Sequence, residues 1–92
     1  MQGTRRDYTD NSIPQPGEYG LNEQGDWYAC TPAPLDEHGF VTMATLRSGW
    51  QITEHEDGTI TVSPSISITT TRGKMNVELW HGFLERGVWR EV

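Results

Sequence analysis

The stretch "WQITEHEDGTITVSP", residues 50–64, decides the fold because it holds two apolar runs on either side of one turn. A three-residue loop over residues 56–58 would pair Ile52 with Val62 and put both apolar runs on one face. A two-residue turn over the last two of those positions would send the runs to opposite faces, which a sheet with one buried side does not tolerate. The sequence therefore predicts a β-hairpin in which Gly58 has a positive φ and the two acidic loop residues are exposed.

The same stretch places four acidic and imidazole side chains in a row, at positions 54–57. Paired carboxylates act in catalysis when a concave site separates their pKa values, whereas neighbouring acids at a loop tip are usually solvated. Alternation along a strand also points Glu54 and Glu56 to one face and His55 to the other. We interpret the cluster as a hairpin tip, with a catalytic or metal-binding role as the alternative.

The turn in this hairpin belongs to a recurring Glu-x-Gly triplet. In a three-residue hairpin loop the third residue takes the left-handed conformation, where glycine avoids a steric cost. The same loop over residues 23–25 pairs Leu21 with Trp27, and a third such loop is predicted over residues 85–87. The predicted structural turn residues are Gly25, Gly39, Gly58 and Gly87.

Apolar residues recur with a period of two from Glu18 onward, and turn residues interrupt the chain at short intervals. This pattern predicts an all-β fold: a small antiparallel sheet, sandwich or barrel of about six to seven short strands built from hairpins. One short helical turn is predicted over residues 42–47. Because residues 1–17 have few apolar side chains, we predict a mobile N-terminal tail followed by a single β domain over residues 18–92.

Composition excludes several classes of function. The 92 residues have a net charge of −6 and no cluster of Lys and Arg, so nucleic acid is not expected as a partner. The single cysteine, Cys30, rules out an intramolecular disulfide and a zinc site built on cysteine pairs. No run approaches the roughly 18 apolar residues of a membrane span, and the N-terminus has no apolar signal core. We therefore expect a soluble, intracellular protein that holds no cofactor and no metal ion.

Positive evidence for catalysis is absent from the sequence. His38, His55 and His81 lack the spacing of a metal site, and there is no GxSxG, phosphate-binding GxxxxGK[ST] or GxGxxG motif. Cys30 is expected to be a small buried residue. The alternative is that Cys30 acts as a nucleophile and that His81 is its base. Every odd position over residues 59–71 is Ser or Thr, which predicts a solvent-facing β surface, with a ligand-binding surface as the alternative. We therefore predict that the protein is not an enzyme.

The last hairpin gives the stronger functional signal. A three-residue loop pairs Leu84 with Val88 on one face and leaves Phe83 and Trp89 on the other. Two packed layers would bury this aromatic pair. If it is exposed, the pair and its charged neighbours have the composition of a protein-binding hot spot. The predicted partner-binding residues are His81, Phe83, Trp89, Arg90 and Glu91.

The combination of "DGTITVSPSI", residues 57–66, and "WHGFLERGVW", residues 80–89, resembles small uncharacterised proteins encoded by tailed phages and prophages. It is distantly similar to a bacterial family that joins a PSI motif to an H-x-F/W-x-x-x-G hairpin. That wider family looks like a small metal-binding module whose members often add cysteines, which this chain lacks at those places. The matching positions are Pro64, Ser65, Ile66, His81, Gly82, Phe83, Gly87 and Trp89.

The resemblance implies a phage origin and brings no known activity. We therefore predict a non-enzymatic, phage-encoded accessory protein of the host cytoplasm that binds a host or phage protein through one face of its sheet. The alternatives are a module that binds a small ligand or a metal ion through His81, and a minor component of the virion. Self-association is also left open, because a chain of this length builds only a small core.

Overall fold

The computed structural model describes residues 1–7 and 13–92, in which eight strands form two four-stranded sheets and no helix occurs. The all-β prediction is confirmed. The strand order is β1-β2-β3-β4 in the first sheet and β5-β6-β7-β8 in the second. The strands are β1 (Thr4–Arg5), β2 (Glu18–Leu21), β3 (Trp27–Cys30), β4 (Met43–Leu46), β5 (Gln51–Glu54), β6 (Ile60–Arg72), β7 (Met75–Glu85) and β8 (Val88–Glu91).

The hairpin of β5 and β6 has the predicted register, with Ile52 opposite Val62. The amide of His55 donates to the carbonyl of Thr59 at 2.8 Å, and the amide of Gly58 donates to the carbonyl of His55 at 3.0 Å. Gly58 has a φ of 85°, and the two acidic loop residues are exposed. The three-residue loop is thus confirmed, because it lets both strands bury their apolar side chains on the same face.

The hairpin of β7 and β8 differs from the prediction. Leu84 lies opposite Trp89, so the loop has only two residues, Arg86 and Gly87, with φ values of 46° and 74°. The predicted pairing of Leu84 with Val88 is therefore wrong. Positive φ at both central residues is the geometry of a type I′ turn, which Asn-Gly usually signals and which an arginine in the first position conceals. Trp89 consequently shares the core-facing side with Leu84.

The predicted helical turn over residues 42–47 is also wrong. This segment forms strand β4, in which Met43 lies opposite Cys30 and Leu46 lies opposite Trp27. Pairing with β3 satisfies the backbone polar groups and buries Leu46, which a single helical turn would not do.

The first residues of the predicted N-terminal tail connect the two sheets. Strand β1 runs parallel to β2, and Gln2 forms a bridge with Val88 of β8. The amino group of Met1 donates to the carbonyl of Trp89 at 3.0 Å, and the amide of Trp89 donates to the carbonyl of Met1 at 2.8 Å. Backbone hydrogen bonds hold this segment in place. Its strand pairing therefore cannot be inferred from its side chains, few of which are apolar. Residues 8–12 of the predicted tail lie outside the described residues.

The core is one cluster to which both sheets contribute, so the sheets pack against each other through their apolar faces. Trp80 and Trp89 meet edge to face at its centre, with 5.4 Å between ring centroids and 87° between ring planes. Among the described residues, no helix is long and apolar enough to cross a membrane. The buried cluster consists of Tyr19, Ala29, Leu46, Ile60, Val62, Ile66, Trp80, Leu84 and Trp89.

We expect Arg86→Asn to raise the free energy of unfolding by about 0.5 to 1 kcal/mol, because asparagine adopts the left-handed conformation at lower steric cost than arginine. Urea denaturation followed by tryptophan fluorescence would measure the change. Arg86→Ala is the matched control, since it removes the same charge and keeps the steric cost. An Asn variant no more stable than the Ala variant would contradict the assignment of this turn.

Candidate functional site

The pairing of β6 with β7 is interrupted by a bulge in β6. Val62 lies opposite Leu84 and Ile66 lies opposite Gly82, so three residues of β6 face a single residue of β7. Ser65 is the last of these three. The extra residues bend β6 and re-aim its side chains at this point, as bulges do beside many active sites.

A second bulge lies in β7. Glu78 and Trp80 pair with consecutive residues of β6, so Leu79 is an extra residue on β7. In a regular strand, Glu78 and His81 would point to opposite faces because they are three positions apart. The extra residue changes the alternation and brings both side chains to the outer face of the second sheet.

Together the two bulges align a hydroxyl, an imidazole and a carboxylate. Ser65 Oγ lies 3.0 Å from His81 Nε2, and Glu78 Oε2 lies 3.8 Å from His81 Nδ1. The hydroxyl of Ser67 donates to the same Glu78 oxygen at 3.0 Å, which fixes that carboxylate. The indole N–H of Trp50 donates to the carbonyl of Ser65 at 3.2 Å, which holds the backbone of the serine.

The order of these groups suits proton transfer away from the serine. For His81 Nε2 to accept the hydroxyl proton of Ser65, the ring must carry its own proton on Nδ1, the nitrogen that faces Glu78. A negative carboxylate on that side stabilises the imidazolium that forms. The side chains of His81 and Glu78 are 35% and 54% exposed, so both are accessible from the outer face of the sheet.

The acidic cluster at the β5–β6 loop has a different role. His55 Nε2 lies 2.7 Å from the hydroxyl of Thr61, which also accepts the amide of Arg86 at 3.0 Å. The carboxylate of Glu54 is bound by Arg5 of β1 at 2.5 Å. These contacts tie the loop to neighbouring elements and support the hairpin-tip interpretation. A shallow depression at the tip is lined by Glu54, His55, Glu56, Asp57 and Arg86.

Cys30 is not a nucleophile in this fold. It is fully buried, and burial raises the pKa of its thiol to about 12, which keeps the sulfur protonated. His81, the base considered for it, instead contacts Ser65. In residues 1–7 and 13–92, no group of three or more His, Cys, Asp or Glu side chains is arranged to hold a metal ion.

The predicted partner-binding residues are divided between surface and core. His81 and Phe83 are half-buried, Arg90 lies over the Phe83 ring at 4.9 Å from its centroid, and Glu91 is exposed. Trp89 is only 2% exposed, and its indole N–H donates to the carbonyl that precedes β2. The two-residue turn that puts Trp89 on the core side therefore removes it from any surface. The glycines predicted for turns, Gly25, Gly39, Gly58 and Gly87, have φ values between 74° and 85°.

Sequence reasoning missed Ser65 and Glu78 as functional residues. Ser65 was named only as part of the PSI motif, and His81 was considered only as a metal ligand, a partner contact or a base for Cys30. The signal that could have found the pair is that the two quoted motifs supply two serines, Ser63 and Ser65, and one histidine on neighbouring strands. Glu78 lies in neither motif, and only the bulge brings it to His81.

The fold and the site define a small all-β protein with a serine next to a histidine and a glutamate, an arrangement typical of hydrolases that use a serine nucleophile. Residues 5–92 match the family model of the bacterial ubiquitination-like system serine protease (BubE), and the chain belongs to this family. The curated proteins and the solved structures contain no match to the chain.

Family membership corrects three predictions. The chain is not a member of a phage family or of a PSI-motif family of unknown function, because the matched family belongs to a bacterial ubiquitination-like system. The predicted phage accessory function through protein binding is wrong for the same reason. The prediction that the protein is not an enzyme is also wrong, since the family is one of serine proteases.

Proposed function

We propose that this chain cleaves polypeptides with Ser65 as the nucleophile, His81 as the general base and Glu78 as the group that orients the imidazole. The observation that carries the proposal is the 3.0 Å contact between Ser65 Oγ and His81 Nε2 in a chain of a serine protease family. The distance lies within the range in which a base can take the proton of a nucleophile.

The reaction follows from the positions of these atoms. Ser65 Oγ attacks the carbonyl carbon of the scissile bond while its proton passes to His81 Nε2. The bond between that carbon and the leaving nitrogen then breaks, the nitrogen takes the proton from His81, and an ester to Ser65 remains. A water molecule, deprotonated by the neutral imidazole, attacks the ester, and the serine oxygen recovers the proton as the acyl group leaves.

Neighbouring side chains support these roles. The Ser67 hydroxyl donates to Glu78 and is thereby committed to positioning the carboxylate. Glu78 accepts that bond on its oxygen nearest His81. The distance from this oxygen to His81 Nδ1 is 3.8 Å, which is longer than a direct hydrogen bond. Catalytic hydrogen bonds are often long before substrate binds and shorten in the substrate complex.

The substrate that fits the family is a polypeptide of a bacterial ubiquitination-like system. We place the reaction in the bacterial cytoplasm, where a protein whose one cysteine is a buried free thiol needs no oxidising environment. The partner that we propose is thus a protein substrate that the chain cleaves. The sequence alone predicted a host or phage protein that the chain binds.

A fluorophosphonate probe should form a covalent adduct with the chain, because it reacts with serines activated by a neighbouring base. Intact mass spectrometry should show one adduct per chain, and peptide mapping should place it on Ser65. Ser65→Ala and His81→Ala should abolish labelling. Ser48→Ala, a change of an exposed serine between β4 and β5, is the matched control and should be labelled like the wild type. A wild-type protein that stays unlabelled would refute the proposal.

Glu78→Gln should lower the rate of Ser65 labelling about ten-fold or more, because the amide keeps the shape of the side chain but loses the charge that stabilises the imidazolium. Stopped labelling reactions read by mass spectrometry would give the rate. Glu23→Gln changes an exposed acid in the β2–β3 loop and should leave the rate unchanged. Equal rates for wild type and Glu78→Gln would remove Glu78 from the site.

A further inference from the structure

Strand β6 has a free edge beside the nucleophile. Strand β5 pairs only with its first part, from Ile60 to Ser63. From Pro64 to Arg72, the long edge of β6 that faces away from β7 has no strand partner in the part of the chain that the structure describes. Ser65, whose own carbonyl accepts the indole N–H of Trp50, lies immediately before the free part of this edge.

The backbone groups that point to the free edge can be identified from the hydrogen bonds of β6. In an antiparallel strand, the N–H and C=O of one residue point the same way, and the direction alternates along the chain. The carbonyls of Thr59 and Ser65 accept bonds from the β5 side, whereas the carbonyl of Ile60 accepts the amide of Gly87 on the β7 side. The odd-numbered residues that follow, Ser67, Thr69 and Thr71, therefore direct their N–H and C=O groups to the open edge.

A groove of mixed polarity accompanies this edge on the inner side of the sheet. Its lining combines the end of the second sheet with the segment between β3 and β4. Met43 and Leu79 are 40% and 38% exposed there, so the groove offers apolar surface that the fold itself does not cover. Apolar side chains come from Ala33, Pro34, Val41, Met43, Ile68 and Leu79, and polar or charged ones from Asp36, Thr42, Thr70 and Arg72.

We propose that an extended segment of the polypeptide substrate adds to this edge of β6 as a further strand, with alternate side chains in the adjacent groove and its scissile bond at Ser65. The inference rests on the proposed function. An added strand lies about 4.8 Å from its neighbour, which brings its backbone alongside the strand that carries the nucleophile. Backbone pairing explains how a short, exposed site holds a substrate, and the exposed Met43 and Leu79 side chains of the groove favour segments that place apolar residues next to them.

The test compares peptide cleavage with the intrinsic reactivity of Ser65. Peptides from a digested, denatured bacterial lysate are incubated with each variant, and new termini are counted by mass spectrometry. Thr69→Pro removes one N–H that points to the open edge, and Thr69→Val is its control because it keeps the N–H. Met43→Asp replaces an exposed apolar side chain of the groove with a carboxylate. Val88→Asp is its control, since Val88 is 41% exposed and lies at the other edge of the sheet.

Thr69→Pro and Met43→Asp should each slow peptide cleavage about five-fold or more, while fluorophosphonate labelling of Ser65 stays within about two-fold of wild type. Both control variants should cut like the wild type. Unchanged cleavage by Thr69→Pro and Met43→Asp would overturn the proposal. A wild type that is labelled at Ser65 but cuts no peptide would also overturn it. The same holds if light scattering shows that the wild type is a dimer and that Thr69→Pro converts it to a monomer. Absence of labelling in the wild type is a different result, since it refutes the proposed nucleophile itself.

Discussion

The structure depends on one constraint in the β6–β7 pair: the apolar side chains of both strands must stay on the inner face. The paired segments of the two strands, however, differ in their number of residues. Extra residues in an antiparallel pair can be absorbed only by bulges, because a slip of one position would turn every following side chain to the other face. Two bulges keep Ile66, Ile68 and Trp80 on the inner side. The same bulges decide which polar side chains meet outside.

The outer face is therefore a by-product of how the core is packed. Ser65 comes from the first bulge, and the second bulge puts Glu78 on the side of His81. In the core beneath, Trp80 and Trp89 pack edge to face, and the backbone of Trp89 is hydrogen-bonded to Met1. A rigid sheet is a suitable support for a nucleophile and a base that must stay within about half an ångström of their working positions.

Much of the fold could be predicted from the alternation of apolar residues. The β5–β6 and β2–β3 registers followed from it, since only one loop length put the apolar side chains on one face. The β7–β8 register did not, because Arg86 gives no sign that it adopts the left-handed conformation. The pairing of the first residues was hidden as well, since backbone groups rather than side chains hold them.

The site was harder to predict because its geometry depends on irregularities. Under strict alternation, Glu78 and His81 lie on opposite faces of the sheet. Alternation alone therefore does not suggest the Glu78 carboxylate as a partner of the His81 imidazole. A sign of the second bulge is present in the sequence: in β7, Met75, Val77 and Leu79 occupy odd positions, whereas Trp80 and Leu84 occupy even positions. A change of phase within one predicted strand indicates an extra residue, and it would have brought the acid and the imidazole together.

The most direct test of this account is a crystal structure of the protein after reaction with diisopropyl fluorophosphate. The account predicts phosphorus bonded to Ser65 Oγ on the outer face of β6, with the His81 imidazole beside it and Glu78 on the Nδ1 side. An adduct on another residue, or a His81 that points away from a modified Ser65, would contradict it.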